Sequence, residues 1–574
     1  MKLFLPVLGL ATSILAQNYS TSNTTYTDPI LPGWHSDPSC VRVEDTFFCV
    51  TSTFIAFPGL PVYASKDLRN WKLISHVWNR DSQLSGISWN TTEQQQGMYA
   101  ATIRQHEGEI YVVCEYLNPP GPITGVLFKT KNPFSDESWS DPLIFRPKKI
   151  DPDLFWDGDG TLYVATQGII LQSLDMATGE LSQPPISLWN GTGGVWPEGP
   201  HLYKKDGYYY LMIAEGGTAE DHSITIARSR NLTGPYEAYA GNPILTARGT
   251  QNYFQTVGHG DLFQDATGSW WGVGLATRSG PQYEVYPMGR ETVLYPVTWK
   301  DGEWPVLQTV QGEMSGWPSM PPINRDVPGN GPFNSDPDVY DFAANSTLPK
   351  NLIHWRVPRG DAFKITDAGL RIIPSRANLT GVPFGPVELS GQRGLSFIGR
   401  RQTDTLFTYT VDLVAKPKCA DAEAGVTIFL TQVNHIDLGV IYAASNATAG
   451  GQLSLRFRVE SQNVPVPVPE TSIVPIPDSW NASTIRLQIS TPDNSTYELS
   501  AMPATNPAAA IKVATASAQL VSGGNGTFVG SLVGAYVTCN GAGEGNDCPD
   551  GGDAVFNRWR YTGIGQQISD DKVV

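Results

Sequence analysis

The 574 residues hold little charge, few basic side chains, few cysteines and no long apolar run beyond the first residues. Each scarcity removes a class of protein. Only 16% of the residues are charged, and 39 Lys and Arg against 55 Asp and Glu leave a formal net charge of −16. A surface of that sign repels nucleic acid and anionic membranes and suits a neutral substrate. No later segment reaches the about 18 consecutive apolar residues that a membrane-crossing helix needs, so no membrane partner is expected. The six cysteines, Cys40, Cys49, Cys114, Cys419, Cys539 and Cys548, follow no zinc spacing. There is no G-x-S-x-G elbow, no H-E-x-x-H pair and no P-loop, and His106-Glu107 lacks the second histidine. No long amphipathic helix stands out.

Turns and aromatics are what the chain does have. Aromatics make up 10%, with 16 Trp, most of them suited to β cores and some to sugar platforms. Five stretches repeat one pattern: DPSCVRVEDTFFCVTSTF from Asp37, AATIRQHEGEIYVVCEY from Ala100, DPDLFWDGDGTLYVATQG from Asp151, EGPHLYKKDGYYYLMIAEGG from Glu198 and GHGDLFQDATGSWWGVGLATR from Gly258. Each is a polar start, an apolar strand, a tight turn and a second strand, with the turn roughly seven or eight residues on. Repeated antiparallel hairpins predict the blades of a β-propeller. The innermost strand of every blade runs beside the axis, so Asp37, Asp151 and Glu198 converge there. Three acids at the mouth of a propeller read as a hydrolase site.

Inverting hydrolysis of a glycosidic bond needs one carboxyl that stays protonated and one that stays ionised. A third can raise and orient the acid. Glu198, in VWPEGPH, has Trp196 and Pro197 placed to desolvate it and is the expected general acid. Asp37, in WHSDPS, is the expected general base, and Asp151, in KIDPDLF, the pKa modulator. Asp-Pro also opens turns, so the argument rests on the equivalent positions in three repeats. His259, in QTVGHGD, holds that position in the fifth repeat, where it would bind a cation or a water near the axis, or fix the acids. No cofactor is required, a structural calcium near the axis is the metal candidate, and its occupancy is open. Arg278, in GLATR, would grip sugar hydroxyls or hold Asp37, against the alternative of a structural ion pair. Trp34, Phe54, Phe57 and Trp196 are the candidate aromatic substrate contacts, and Trp34, Phe54 and Phe57 could equally be core.

The first residues, MKLFLPVLGLATSILA, read as a signal peptide over 1–16, and eleven N-x-S/T sequons accompany it. A secreted, glycosylated protein is expected. If Glu44-Asp45 is a two-residue turn, Cys40 faces Cys49 across the hairpin. Cys539 and Cys548 flank a Gly/Asp/Asn loop and are the better candidate disulfide; Cys114 and Cys419 are left over. Residues 17–320 form the expected catalytic propeller, and the Pro/Gly/Asn-rich 321–338 a linker. Residues 339–574 alternate apolar and polar positions without the acid-led repeat, which predicts an antiparallel β-sandwich.

The strings PILPGWHSDPS, TSTFIAFPGLPVYASKDLRNWKLISH, IDPDLFWDGDG, EGPHLYKKDGYYYLMIAEGGT, QTVGHGDLFQD and YPMGRET, in this order, resemble glycoside hydrolase family 43, and within it the fungal, secreted, two-domain β-xylosidase or α-L-arabinofuranosidase type. FIGRRQTD, AGVTIF and GTFVGSLVGAY resemble weaker marks of its C-terminal domain. The resemblance implies an all-β chain, a five-bladed propeller followed by a concanavalin-like sandwich, and single-displacement inversion. It places the base at Asp37, the modulator at Asp151, the acid at Glu198, a substrate-contacting arginine at Arg278 and an axial histidine at His259. It also implies a sandwich loop that helps close the pocket, hence release of one sugar at a time. Tyr99-Ala100-Ala101 stands where members often have Trp-Ala-Pro, and Ala56 where they often have Trp. These departures leave the sugar open. The expected activity is release of β-D-xylose from xylo-oligosaccharides. The alternatives are α-L-arabinofuranosidase action on arabinoxylan or arabinan, a carbohydrate-binding protein without catalysis, and a fructan hydrolase.

Overall fold

The structure, a computed structural model, describes residues 25–85, 91, 93–315, 319–383, 394–415, 422–443, 452–480, 484–545, 548–549 and 552–574. The expected signal peptide and Cys419 lie outside the described residues.

Five antiparallel sheets follow one another along the chain. Their first two strands are Ser39–Val43 and Thr46–Val50, Gly97–His106 and Glu109–Leu117, Asp153–Trp156 and Leu162–Thr166, Glu198–Lys205 and Tyr208–Glu215, and Phe254–Gln264 and Trp270–Arg278. These are the five repeated hairpins. The turns explain their tightness: Glu107-Gly108 and Asp206-Gly207 each put both residues at positive φ, the geometry that matches a two-residue turn to the twist of its strands. In the first hairpin Cys40 pairs with Cys49, and the two form a disulfide. Cys539 and Cys548 form the other, while Cys114 is free and buried. The sheets are blades of a propeller. The ring closes where Phe47 of the first blade meets Phe263 of the fifth, ring centroids 5.8 Å apart.

One backbone feature recurs at the axis. Asp37, Ala100, Asp151, Gly199 and His259 all have φ between 33° and 60°. This left-handed kink falls just before the innermost strand in two blades and within it in the other three. In three blades it coincides with a register shift, between Tyr99 and Thr102, Glu198 and His201, and Gly258 and Asp261. Such a bulge re-aims a side chain, and here it turns the kinked residue toward the axial mouth. Asp37 and Asp151 are therefore structurally equivalent. Glu198 is not: the kink of its blade is at Gly199, and the acid stands one residue earlier.

The C-terminal part is a sandwich of two antiparallel sheets, the first running in the order Phe397–Arg401, Leu532–Thr538, Glu423–Thr431, Asn434–Ala443, Gln452–Ser461 and Ser472–Pro475. The second is built around Ala554–Gly565 and Leu406–Ala415. Between them lies an apolar core that includes Phe407, Val426, Leu438 and Leu487 and extends to Trp34 and Phe54 of the propeller. Residues 321–338 run along the first blade: Val327 and Phe333 join that blade's core, and Lys72 Nζ donates to Val327 O at 2.9 Å.

Candidate active site

The kinks bring Asp37 and Asp151 to one spot with Glu198. Asp37 is buried. It accepts from Ser52 Oγ at 2.7 Å and from both terminal nitrogens of Arg290, at 3.0 and 3.4 Å. His259 Nδ1 lies 3.7 Å from its Oδ1. Burial pushes the Asp37 carboxyl up, but Arg290, His259 and the Ser52 bond together outweigh it and hold the group below the usual carboxylate value. Asp151 Oδ2 accepts the Gly199 N–H at 3.0 Å. Burial first, then the charges of Glu198 and Asp37, carry Asp151 well above its ordinary range. Glu198 accepts from Gln167 Nε2 at 3.0 Å. Burial, aided by Asp37 and opposed by Gln167 and Arg290, pushes it up to about 7. One carboxyl is thus fixed ionised and another is poised to hold a proton at neutral pH, which is the division that acid–base hydrolysis needs. His259 is pushed down to about 4, mainly by burial, so it is neutral at neutral pH and sets a positive charge beside Asp37 only in acid.

Several expectations change. Arg278 is not at the acids. It is buried, holds Glu291 through Nε at 2.7 Å and Nη2 at 2.9 Å, and reaches Gln566 Oε1 and Gln567 O of the sandwich part. It is the structural ion pair, and Arg290, twelve residues on in YPMGRET, is the arginine beside Asp37. Trp34 and Phe54 are fully buried. They stack on each other at 6.0 Å, and Phe54 stacks on Phe528 at 6.1 Å; they buttress the site from behind and offer no open face to a sugar. Phe57 packs edge-on against Trp78, and its backbone bridges to His354, at the seam between the two parts. Trp196, expected to cover Glu198, is 65% exposed.

Sequence reasoning missed five contributors. Arg290, Ser52 and Gln167 lie on strands or loops other than the repeated starts. Glu115 is a fourth carboxyl, fully buried on the second strand of blade two. Burial and the Asp151 charge push it well above the carboxylate range. Its signal, an acid inside the apolar string YVVCEY, was readable. Phe528 comes from the sandwich loop: its carbonyl accepts from Arg290 Nε and Nη2 at 3.3 and 3.2 Å, its ring lies 5.2 Å from the guanidinium, and its N–H donates to Gln95 Oε1 at 2.6 Å. Gly289 (φ 66°) and Gly530 make this approach feasible, because a Cβ on either would stand within 2.3 Å of a carbonyl oxygen across the seam. The sandwich loop therefore closes the site over Arg290.

Below the acids, Arg104 fills the axis. Its Nη1 donates to Asp261 Oδ2 at 2.7 Å and Ser39 Oγ at 3.2 Å, and its Nη2 reaches Asp153 Oδ1 at 2.7 Å and His201 Nδ1 at 2.8 Å. One guanidinium thus ties its own blade to the other four. Calcium needs six to eight oxygen ligands. These carboxylates already face a cation, among imidazoles, and do not form such a cage at this level of the axis.

A carboxyl set of this kind at the mouth of a five-bladed propeller defines a glycoside hydrolase. The glycosyl hydrolases family 43 profile matches residues 26–305, and the β-xylosidase C-terminal concanavalin A-like domain matches 339–562. A non-reducing end α-L-arabinofuranosidase of Bacteroides ovatus is 37% identical over 73% of this chain and 77% of its own. A xylosidase/arabinosidase of Humicola insolens is 30% identical over 78% and 82%. Among solved structures, a Bacteroides ovatus xyloglucan-locus GH43B protein superposes with a TM-score of 0.79 at 31% identity, over 94% of this chain and all of that one. A xylan β-1,4-xylosidase of Bacillus halodurans gives 0.79 at 27%, over 93% and 99%. The chain belongs to glycoside hydrolase family 43 and is an exo-acting glycosidase.

Proposed function

We propose that the protein is a secreted, inverting exo-glycosidase that releases β-D-xylose from the non-reducing end of xylo-oligosaccharides. Asp37 deprotonates the attacking water, Glu198 protonates the leaving oxygen, and Asp151, whose own carboxyl is raised by burial and by the Glu198 charge, is the modulating partner of that acid. The observation that carries this reading is the electrostatic split. Asp37 is held ionised by Arg290, while Glu198 is raised to about 7. Action on α-L-arabinofuranosides is the second reading. It is favoured by the name of the Bacteroides ovatus relative and by the departures at Tyr99 and Ala56, both packed around the site: Tyr99 lies 4.7 Å from Phe54 edge to face, and Ala56 is fully buried.

Turnover of 4-nitrophenyl β-D-xylopyranoside beside 4-nitrophenyl α-L-arabinofuranoside, with Asp37→Ala as blank, separates the two. A faster xyloside keeps the first reading, and a faster arabinoside replaces it. Proton NMR of the first-formed sugar tests inversion: α-xylose is expected, and β-xylose would overturn the single-displacement assignment.

A further inference from the structure

Trp196 is the only tryptophan among the described residues that is exposed, at 65%, and Val195 beside it is 60% exposed. A large apolar ring facing water is unfavourable. So is its backbone, since φ at Trp196 is 55°, a region that bulky residues rarely occupy. Features of this kind persist only where the surroundings enforce them, and they concentrate at functional sites. The enforcement is visible. The buried carboxylate of Glu215 accepts the N–H groups of Thr192 at 2.8 Å and Gly194 at 3.1 Å. Val195 O accepts from Gly216 N, and Pro197 O from Gly168 N, both at 2.9 Å. The main chain is pinned on either side of Trp196 while the indole stands free.

Its place gives the ring a partner. Glu198, two residues on, is the proposed acid, and an acid lies on the leaving-group side of the bond it protonates. Whatever sugar is attached to the departing oxygen must pass that rim. The opposite side, over Arg290 and Phe54, is closed by Phe528. We propose that Trp196 is the stacking platform for the leaving sugar, the first residue of the xylan chain beyond the scissile bond. The C–H face of a pyranose ring packs on the indole, and this contact favours oligosaccharides over xylosides whose leaving group has no ring. The inference rests on the acid assignment of Glu198.

The test compares the full-length wild type with Trp196→Ala, Trp196→Phe and Val195→Ala on two substrates. Xylobiose leaves a sugar on the platform, whereas 2,2,2-trifluoroethyl β-D-xyloside leaves no ring. Trp196→Ala should lose roughly tenfold in kcat/KM on xylobiose, the scale of burying part of one ring face, and less than twofold on the trifluoroethyl xyloside. Trp196→Phe should keep most of the xylobiose rate, and Val195→Ala both rates. Equal losses on the two substrates would mean that Trp196 only shapes the loop, and no loss on xylobiose would mean that no platform exists; either result overturns the proposal alone. A wild type silent on both substrates would instead bring down the xylosidase reading, and this inference with it.

Discussion

Asp151 and Asp153 stand two residues apart at the head of one blade, and the propeller treats them in opposite ways. Asp151 joins Asp37, Glu198 and Glu115 in a cluster whose one guanidinium, that of Arg290, is paired with Asp37. Asp153 joins Asp261 around Arg104, with His201 beside them. In the upper layer acids outnumber the cation. Their charges cannot all be satisfied at short range in a low-dielectric site, so their proton affinities spread: Asp37 falls, and Asp151, Glu198 and Glu115 rise. In the lower layer the cation is shared more evenly. Burial raises Asp261, but Arg104 and His201 outweigh it and leave the group strongly acidic. The same kink and residue type give proton chemistry at one level and a permanent tie at the next. What separates them is the ratio of acids to guanidinium.

The largest expected effect breaks the upper layer alone. Asp37→Ala should cut kcat by about 10³–10⁴, the upper scale of general base catalysis. The melting temperature should move less than in the lower layer, because Glu198 and Asp151, both within reach of the Arg290 charge, can ionise to balance the guanidinium that Asp37 leaves. Residual activity above about a tenth of wild type would remove Asp37 from the base role.

The lower layer should fail in stability first. Arg104→Met leaves Asp153 and Asp261 buried without their cation, which costs about 3–5 kcal/mol for a buried pair broken from one side. A guanidinium chloride midpoint read by tryptophan fluorescence checks this. A variant as stable as wild type would show that the axis is hydrated or binds a cation that takes over the charge.

How much of this contrast was legible in the sequence follows from the same geometry. The hairpin spacing exposed the five blades, and the acid-led starts exposed Asp37, Asp151 and Glu198. The one-residue offset of Glu198 was hidden, because a left-handed residue can be Asp, Ala, Gly or His, and only the backbone shows that Gly199 is the kink. Arg278 was a reasonable choice on the fifth blade. A strand has two faces, though, and Arg278 pairs with Glu291 of the adjacent strand Glu291–Thr298. The choice between Arg278 and Arg290 depends on where the sandwich loop docks, which is information carried some 240 residues away at Phe528. Trp34 and Phe54 misled for a related reason: aromatic residues near an active site are as often the packing behind it as its wall.

A pH profile makes the smallest but most discriminating test of the comparison. An acid must be protonated to act, so kcat/KM should fall as pH rises through about 7, where Glu198 titrates. A base must be ionised, so activity should fall on the acid side only below the ordinary carboxylate range, because Asp37 is held down. Removing the acid should remove its limb. On an aryl xyloside with a good leaving group, which needs little protonation, Glu198→Gln should retain measurable turnover and lose the alkaline fall. Two other raised carboxyls stand close by. If the fall near pH 7 survives in Glu198→Gln, the proton that matters is held by the Asp151–Glu115 pair, and the acid role passes from Glu198 to that pair. If it disappears while the acid-side limb stays, the spread of affinities in the upper layer is the working part of the site.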